Sequence, residues 1–158
     1  MTRILYITPG CFDKGGISRY NRYQINAFRE LYGENNVKVL SLLGPSEGDF
    51  ENDFTVDWSG TGNNLSSRLF LIFKIIAALL FFKPKICWIA HVNFSGLVNF
   101  LNLPFKSKTV LNVYGLEVWS GLSKDAAWGL KNVNHVMADC HYTAQYLEEE
   151  NLRPTNSV

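Results

Sequence analysis

Cysteine is scarce in this sequence of 158 residues: Cys11, Cys87 and Cys140 are far apart and odd in number. That excludes a disulfide framework. With no CxxC pair and no Cys/His cluster, it also argues against a zinc site and for a reducing, cytoplasmic compartment. Charge of one sign is not in excess either. Fifteen Lys and Arg face 14 Asp and Glu, a formal net charge of +1, whereas a general nucleic-acid binder carries a basic excess or stripe. The first residues lack the charged region, apolar stretch and cleavage site of a signal peptide. No internal repeat, low-complexity tract or internal domain boundary is visible. The longest apolar run, Leu69 to Phe82, has fourteen residues with Lys74 inside it, short of the about 20 that a membrane span needs.

What is present is the material of one globular domain. Hydrophobic residues make up 47% and charged residues 18%, enough to bury a core and too apolar for disorder. Arg3–Thr8 is a β-rich run that reads as a buried first strand. Ile17–Leu31 has helical spacing, with Ile17, Tyr20, Gln24, Ala27, Phe28 and Leu31 along one face and Gly33 as the stop. Val37–Leu43 reads as a second strand, and a short strand at Phe54–Asp57 interrupts the polar stretch Gly44–Gly62. Leu65–Phe82 is an apolar helix that Ser66 and Ser67 could cap and Lys83-Pro84 ends. Strands then alternate with helices: Ile86–His91, Phe94–Leu103, Thr109–Tyr114, Lys124–Lys131, His135–Cys140 and Thr143–Glu150. This alternation predicts a doubly wound α/β domain, its mostly parallel sheet covered by helices on both faces. For the apolar helix, packing against the sheet is the preferred reading. Contact with a membrane surface is the sharper alternative, because Arg68, Lys74, Lys83 and Lys85 flank or interrupt its apolar face.

In open α/β sheets ligands bind beyond the carboxyl ends of the strands. That rule selects the loop Gly10–Ser18, then His91-Val92-Asn93, Tyr114–Trp119 and Cys140-His141-Tyr142. Gly15 and Gly16 stand at a helix start, where missing side chains and free amides favour an anion such as phosphate. The pattern is neither GxGxxG nor GxxxxGK[ST], which disfavours a dinucleotide site and a P-loop; a flexible turn is the plain alternative. His91 closes its strand and is as readily structural as functional. Tyr114-Gly115-Leu116-Glu117-Val118-Trp119 is the densest constellation. Glu117 could accept from sugar hydroxyls, and Trp119 could stack on a sugar face or simply pack. His135 lies at the other end of its strand and is left out.

These pieces resemble retaining glycosyltransferase family 4, of the GT-B fold. Gly15-Gly16-Ile17-Ser18-Arg19-Tyr20 is similar to that family's glycine-rich loop entering its first helix. Tyr114–Trp119 is similar to its HG-hydrophobic-E-hydrophobic-W segment, and Val136–Ala144 to a strand-to-helix turn late in its N-terminal domain. The resemblance implies that residues 1–158 are a single Rossmann-like N-terminal, acceptor-side domain, the C-terminal nucleotide-sugar domain with its E-x7-E motif being absent. It implies transfer of a sugar from a nucleotide-diphosphate sugar, with retention, to a glycan or lipid-linked acceptor in polysaccharide or lipopolysaccharide synthesis. Gly15 and Gly16 would then admit the donor diphosphate, Tyr114 and Glu117 would be catalytic, and His91, Asn93, Gly115 and Trp119 would bind the acceptor. No cofactor or metal is implied beyond the nucleotide sugar as co-substrate, and no nucleic acid. The implied place is the cytoplasm or the inner face of the cytoplasmic membrane. This fragment alone would be inactive until joined by a C-terminal domain of the same protein or of a partner chain. Tyr114 stands where many members have His; a phenol still hydrogen-bonds but titrates near pH 10, which departs from a His-like acid/base role. Cys140 replaces a capping Ser. A non-catalytic sugar- or nucleotide-binding subunit and a flavodoxin-like protein are the rival readings.

Overall fold

The computed structural model describes residues 2–46 and 54–153, so the middle of the Gly44–Gly62 stretch and the tail from Pro154 onward lie outside the described residues. The chain is α/β: its strands pair in parallel and helices connect them, the doubly wound, Rossmann-like class expected from the alternating pattern. It divides into two compact units, Met1–Lys85 and Ile86–Val158.

The first unit holds β1 (Ile4–Thr8), α1 (Gly16–Tyr32), β2 (Val37–Ser41), β3 (Trp58–Ser59) and α2 (Leu65–Ala77). Its strands lie in the order β3-β2-β1, with Ile4 opposite Val37, Thr8 opposite Ser41 and Leu40 opposite Trp58. Every residue of β1 is buried, which is why an unbroken apolar run rather than an alternating one encodes it. The short strand predicted at Phe54–Asp57 sits later, at Trp58–Ser59. Asp57 explains the shift: its backbone amide donates to the Val39 carbonyl (3.0 Å), but its carboxylate, in place of a preceding backbone carbonyl, accepts from the Val39 amide (2.8 Å). Phe54 is used as packing instead, edge-on to Phe12 and under the Arg29 guanidinium.

Two further expectations change in this unit. The buried face of α1 is Ser18, Asn21, Arg22 and Ile25; Ile17, Tyr20 and Leu31, predicted to face inward, are exposed. The reason lies in the loop before the helix, described below. The cap of α2 is Asn64, whose side-chain oxygen accepts from the Ser67 amide (2.8 Å) and the Ser66 hydroxyl (2.7 Å), so the two serines are partners of the cap rather than the cap itself. Helix α2 continues through a π-helical turn, Ala78–Phe82, and Lys83 in a left-handed conformation (φ 51°) ends it ahead of Pro84.

The second unit holds β4 (Ile86–Ile89), α3 (Ser95–Asn102), β5 (Lys108–Val113), the single turn α4 (Leu116–Trp119), α5 (Lys124–Asn132), β6 (His135–Ala138) and α6 (His141–Glu149). The strand order is β4-β5-β6, with Ile86 opposite Lys108 and Val110 opposite His135. After α6, buried Arg153 donates to the carbonyl of Val133 (3.0 Å) and, more weakly, to that of Leu130 (3.4 Å), fixing the descending chain to the end of α5.

Candidate functional site

In the first unit the candidate site is the loop between β1 and α1. Cys11 and Phe12 are buried and Asp13 to Ile17 are exposed. The loop is not the flexible turn that a Gly-Gly pair alone would suggest. Buried Asn21 donates to the Thr8 hydroxyl (2.8 Å) and the Gly10 carbonyl (3.0 Å), and it accepts from the Tyr6 phenol (3.0 Å). Buried Arg22 donates to the carbonyls of Cys11 (2.8 Å) and Asp13 (3.0 Å). Buried backbone oxygens need donors, and α1 supplies them from its inner face. That is why polar residues stand where its apolar face was expected. The missed signal was the spacing Ser18, Asn21, Arg22, Ile25, which is helical but mostly polar.

Asp13 completes the loop. One carboxylate oxygen accepts from the Gly15 amide and the other from the Ser18 hydroxyl, both at 2.6 Å. The Ser18 bond is the chief reason its pKa is held below the ordinary carboxylate value. Gly15 has an ordinary φ of −61°, so its lack of a side chain matters for space alone: a Cβ there would stand 2.6 Å from the Asp13 carboxylate. A Cβ at Gly16 would meet nothing within 4 Å. The N-terminus of α1 has no side-chain cap bond from its N-cap residue, and the space beside its first residue, Gly16, is open. This geometry suits an anion, but the Gly15 amide is already taken by Asp13. Cys11 is buried, and desolvation pushes its thiol up to about 11, so it stays protonated near neutral pH.

In the second unit the other predicted residues gather beyond β4 and β5. His91 follows β4, and its Nδ1 accepts from the Asn93 amide (3.2 Å), capping the 3-10 turn Val92–Phe94. That bond leaves the proton of the neutral ring on Nε2. Burial pushes the His91 pKa below its ordinary value, and the carboxylate of Glu117 opposes the shift. Tyr114 directly follows β5, and its amide donates to Glu117 Oε1 (2.7 Å). Glu117 thus braces the corner with one oxygen, a use the sequence did not reveal. The Tyr114 phenol oxygen accepts from the Asn112 side-chain amide (3.3 Å).

Gly115 makes the corner possible. Its φ is +99°, and a Cβ there would lie 2.5 Å from the Trp119 ring and 3.0 Å from the Thr143 hydroxyl. Trp119 therefore packs directly over the glycine while remaining 39% exposed. Its ring meets that of Tyr142 edge to face at 5.3 Å between centroids. Tyr142, selected with Cys140 and His141 at the carboxyl end of β6, presents a second exposed aromatic ring. Cys140 is the N-cap of α6 but makes no capping bond; its Sγ lies 3.3 Å from the Thr143 hydroxyl, which donates to Asp139.

The structure thus unites His91, Asn93, Tyr114, Gly115, Glu117 and Trp119 in the second unit, while Gly15 and Gly16 belong to the first. Among the described residues no group of His, Cys, Asp and Glu could hold a metal ion.

No family model matches the chain, and no curated protein does. Solved structures share its fold. One is the apo form of the lipopolysaccharide outer core galactosyltransferase WaaB, with a TM-score of 0.63 and 12% identity over 94% of this chain and 42% of that one. Another is a Listeria monocytogenes protein assigned as a UDP-N-acetylglucosamine 2-epimerase, with a TM-score of 0.62 and 11% identity over 98% of this chain and 43% of that one. At such identities the likeness shows the fold alone: a GT-B-like, Rossmann-type architecture shared with sugar-processing enzymes. The chain spans less than half the length of either neighbour.

Proposed function

We propose that the chain is the acceptor-side part of a retaining, family-4-like glycosyltransferase acting on a nucleotide-diphosphate sugar. The observation that supports it most is the corner after β5. A glycine in a left-handed backbone, a carboxylate and an indole sit together beyond a parallel strand, beside a neutral imidazole. A sugar offers a ring of hydroxyls around an apolar face, and this corner offers acceptors, a donor and an aromatic surface. The fold shared with a lipopolysaccharide galactosyltransferase supports the same class.

In this reading Trp119 carries the acceptor's apolar face, and His91 Nε2–H donates to one of its hydroxyls. Glu117 accepts from another through the oxygen not committed to the Tyr114 amide. The first amides of α1, exposed at Gly16, meet the donor diphosphate; its developing negative charge is stabilised by fixed dipoles rather than by a side-chain acid. Tyr114 contributes as a hydrogen-bonding phenol. The acceptor is a glycan or lipid-linked sugar, and the rest of the donor site comes from a further domain.

The test is acceptor-dependent release of nucleoside diphosphate by the full-length protein, or by this chain with a supplied nucleotide-sugar-binding domain. Turnover that requires a glycan acceptor supports transfer. The epimerase neighbour, matched at nearly the same TM-score, favours a second reading in which only the nucleotide sugar reacts; turnover indifferent to any acceptor selects it. Glu117→Gln keeps the oxygen that braces Tyr114 and removes the charge. It should reduce acceptor transfer roughly 10–100-fold while leaving slow donor hydrolysis within about twofold. Equal loss of both would make Glu117 structural only.

A further inference from the structure

We propose that the outer face of the helix Leu65–Phe82 docks on an anionic lipid surface, lying in the bilayer interface rather than crossing it. The apolar run Leu69–Phe82 lies within the longer helix Leu65–Phe82 expected from the sequence. That helix has 18 residues from Leu65 to Phe82, long and apolar enough to cross a membrane by length and composition, yet only 28% of it is buried. Packing on the sheet accounts for one side: Leu71, Ile75, Ala78 and Leu79 are buried, and α2 packs against β2. The opposite side is apolar and open. Leu65, Leu69, Phe70, Phe73, Leu80 and Phe81 are exposed, Phe73 by 64% and Phe81 by 81%. Scattered exposed apolar residues need no explanation, but a contiguous helical face of leucine and phenylalanine marks an interaction surface.

The buried side decides between spanning and lying flat. A span would strip β2 of its cover and break the bond from the Thr61 amide to the buried Ser67 hydroxyl (3.2 Å). A helix in the interface keeps that side on the protein and sinks only the other into the acyl boundary.

Charge decides the occupant. From Asp57 to the end of the first unit the sequence contains no further acidic residue, while Arg68, Lys74, Lys83 and Lys85 all fall in that interval. At about 100° per residue, Arg68 and Lys74 fall on opposite flanks of the arc carrying Leu65, Leu69 and Phe73. Their long stems can follow the apolar face while the charges reach the headgroups. At the far end the ring of Phe82 lies under two further cations, Arg3 at 5.9 Å and Lys38 at 5.3 Å. Arg3 and Lys38 beside Phe82, Arg68 and Lys74 on the flanks and Lys83 and Lys85 beyond the end outnumber the one described acid nearby, Asp57, which lines a hollow with Lys38 and Lys74, and this cationic excess around an apolar face fits an anionic bilayer. It fits a second copy poorly, since a two-fold interface would bring like charges together. The inference does not rest on sugar transfer, and vesicle binding can stand or fall without changing the outcome of the acceptor test.

The experiment is sedimentation of the intact chain with vesicles of phosphatidylcholine alone, or with a third of the lipid replaced by phosphatidylglycerol. Binding should be more than about tenfold tighter to the anionic vesicles and should weaken as salt rises. The double substitution Phe73→Ser with Phe81→Ser should lower it by at least about tenfold, with the thermal midpoint held because both side chains are exposed. Lys83→Glu with Lys85→Glu should abolish the preference for anionic lipid and spare the weak binding to phosphatidylcholine. Absence of binding to anionic vesicles overturns the proposal, and so does binding that the phenylalanine substitutions leave unchanged. A dimer that those substitutions dissociate, in a chain that ignores vesicles, would assign the face to self-association instead.

Discussion

The loop after β1 and the corner after β5 occupy matching places in their units, each at the carboxyl end of a parallel strand, ahead of a helix and containing glycine. They are held by different means. In the corner the backbone itself is the device: Gly115 sits at φ +99° with the Trp119 ring where a Cβ would be. In the loop the glycines have ordinary dihedrals, and rigidity comes from side chains of the following helix, Asn21 and Arg22, reaching back to the loop carbonyls. One loop is held by its own residues and the other by the side chains of a helix. The two should therefore fail differently.

The largest effect is expected at the corner. Gly115→Val adds a β-branched side chain at positive φ and drives it into the indole, and neither can yield without breaking the packing on Thr143. The loss should be at least about 3 kcal/mol, a fall in thermal midpoint of roughly 6–12 °C at about 2–4 °C per kcal/mol, read by thermal denaturation. A midpoint within a degree or two of the parent would mean that the corner is not fixed by its backbone. In the loop the matching break is made in the helix. Arg22→Met keeps the length and removes the donors, leaving the Cys11 and Asp13 carbonyls unpaired at a cost of about 2–3 kcal/mol. Unlike the first, it should also raise hydrogen exchange across residues 10–15. A stability loss without that local loosening would show that Arg22 packs rather than pins.

These differences track what could be read from the residues. The alternation of strands and helices was legible because β1 is an unbroken buried run and the helices have stop signals such as Gly33 and Lys83-Pro84. The corner was legible too, since Tyr114–Trp119 concentrates unusual residues in one place. The loop was half legible: the two glycines stood out, but the residues that shape it did not. Asn21 and Arg22 look like surface residues on a helix until the carbonyls they satisfy are known, and these lie 9–11 positions away in the chain. The same blindness placed β3 too early, because the Asp57 side chain imitates a backbone acceptor. Apolar patterning assigns a helix its inner face only when that face is apolar; α1 buries polar groups, and α2 leaves apolar ones in the open.

A smaller effect separates the imidazole beside the corner from the carboxylate of the loop. Burial lowers the His91 pKa in the folded state below its ordinary 6.5. The unfolded chain therefore binds the proton first as pH falls. The His91 contribution to stability is complete above about pH 6.5 and is lost as pH falls through the folded value. His91→Gln should make the midpoint less sensitive to pH just below 6.5. Asp13, depressed from 3.8, has the same sign but acts only at more acid pH, so Asp13→Asn should leave that upper window unchanged. If both substitutions flatten the same range, the two groups are not independent.

The smallest effect on stability should come from Gly16→Val, and it tests the comparison most directly. Position 16 opens α1, its φ needs no glycine, and a new Cβ would meet nothing within 4 Å. The cost should stay within about 1 kcal/mol, the ordinary penalty of a β-branched residue in a helix. Yet the side chain would stand over the first free amides of the helix, where an anion would approach. In the full-length protein the donor KM should rise by roughly tenfold or more, with the thermal midpoint almost unmoved, the reverse of the outcome for Gly115→Val. Donor kinetics as unchanged as the stability would mean that the open space over Gly16 is only space, and that the loop is pinned for the sake of the fold rather than for a diphosphate.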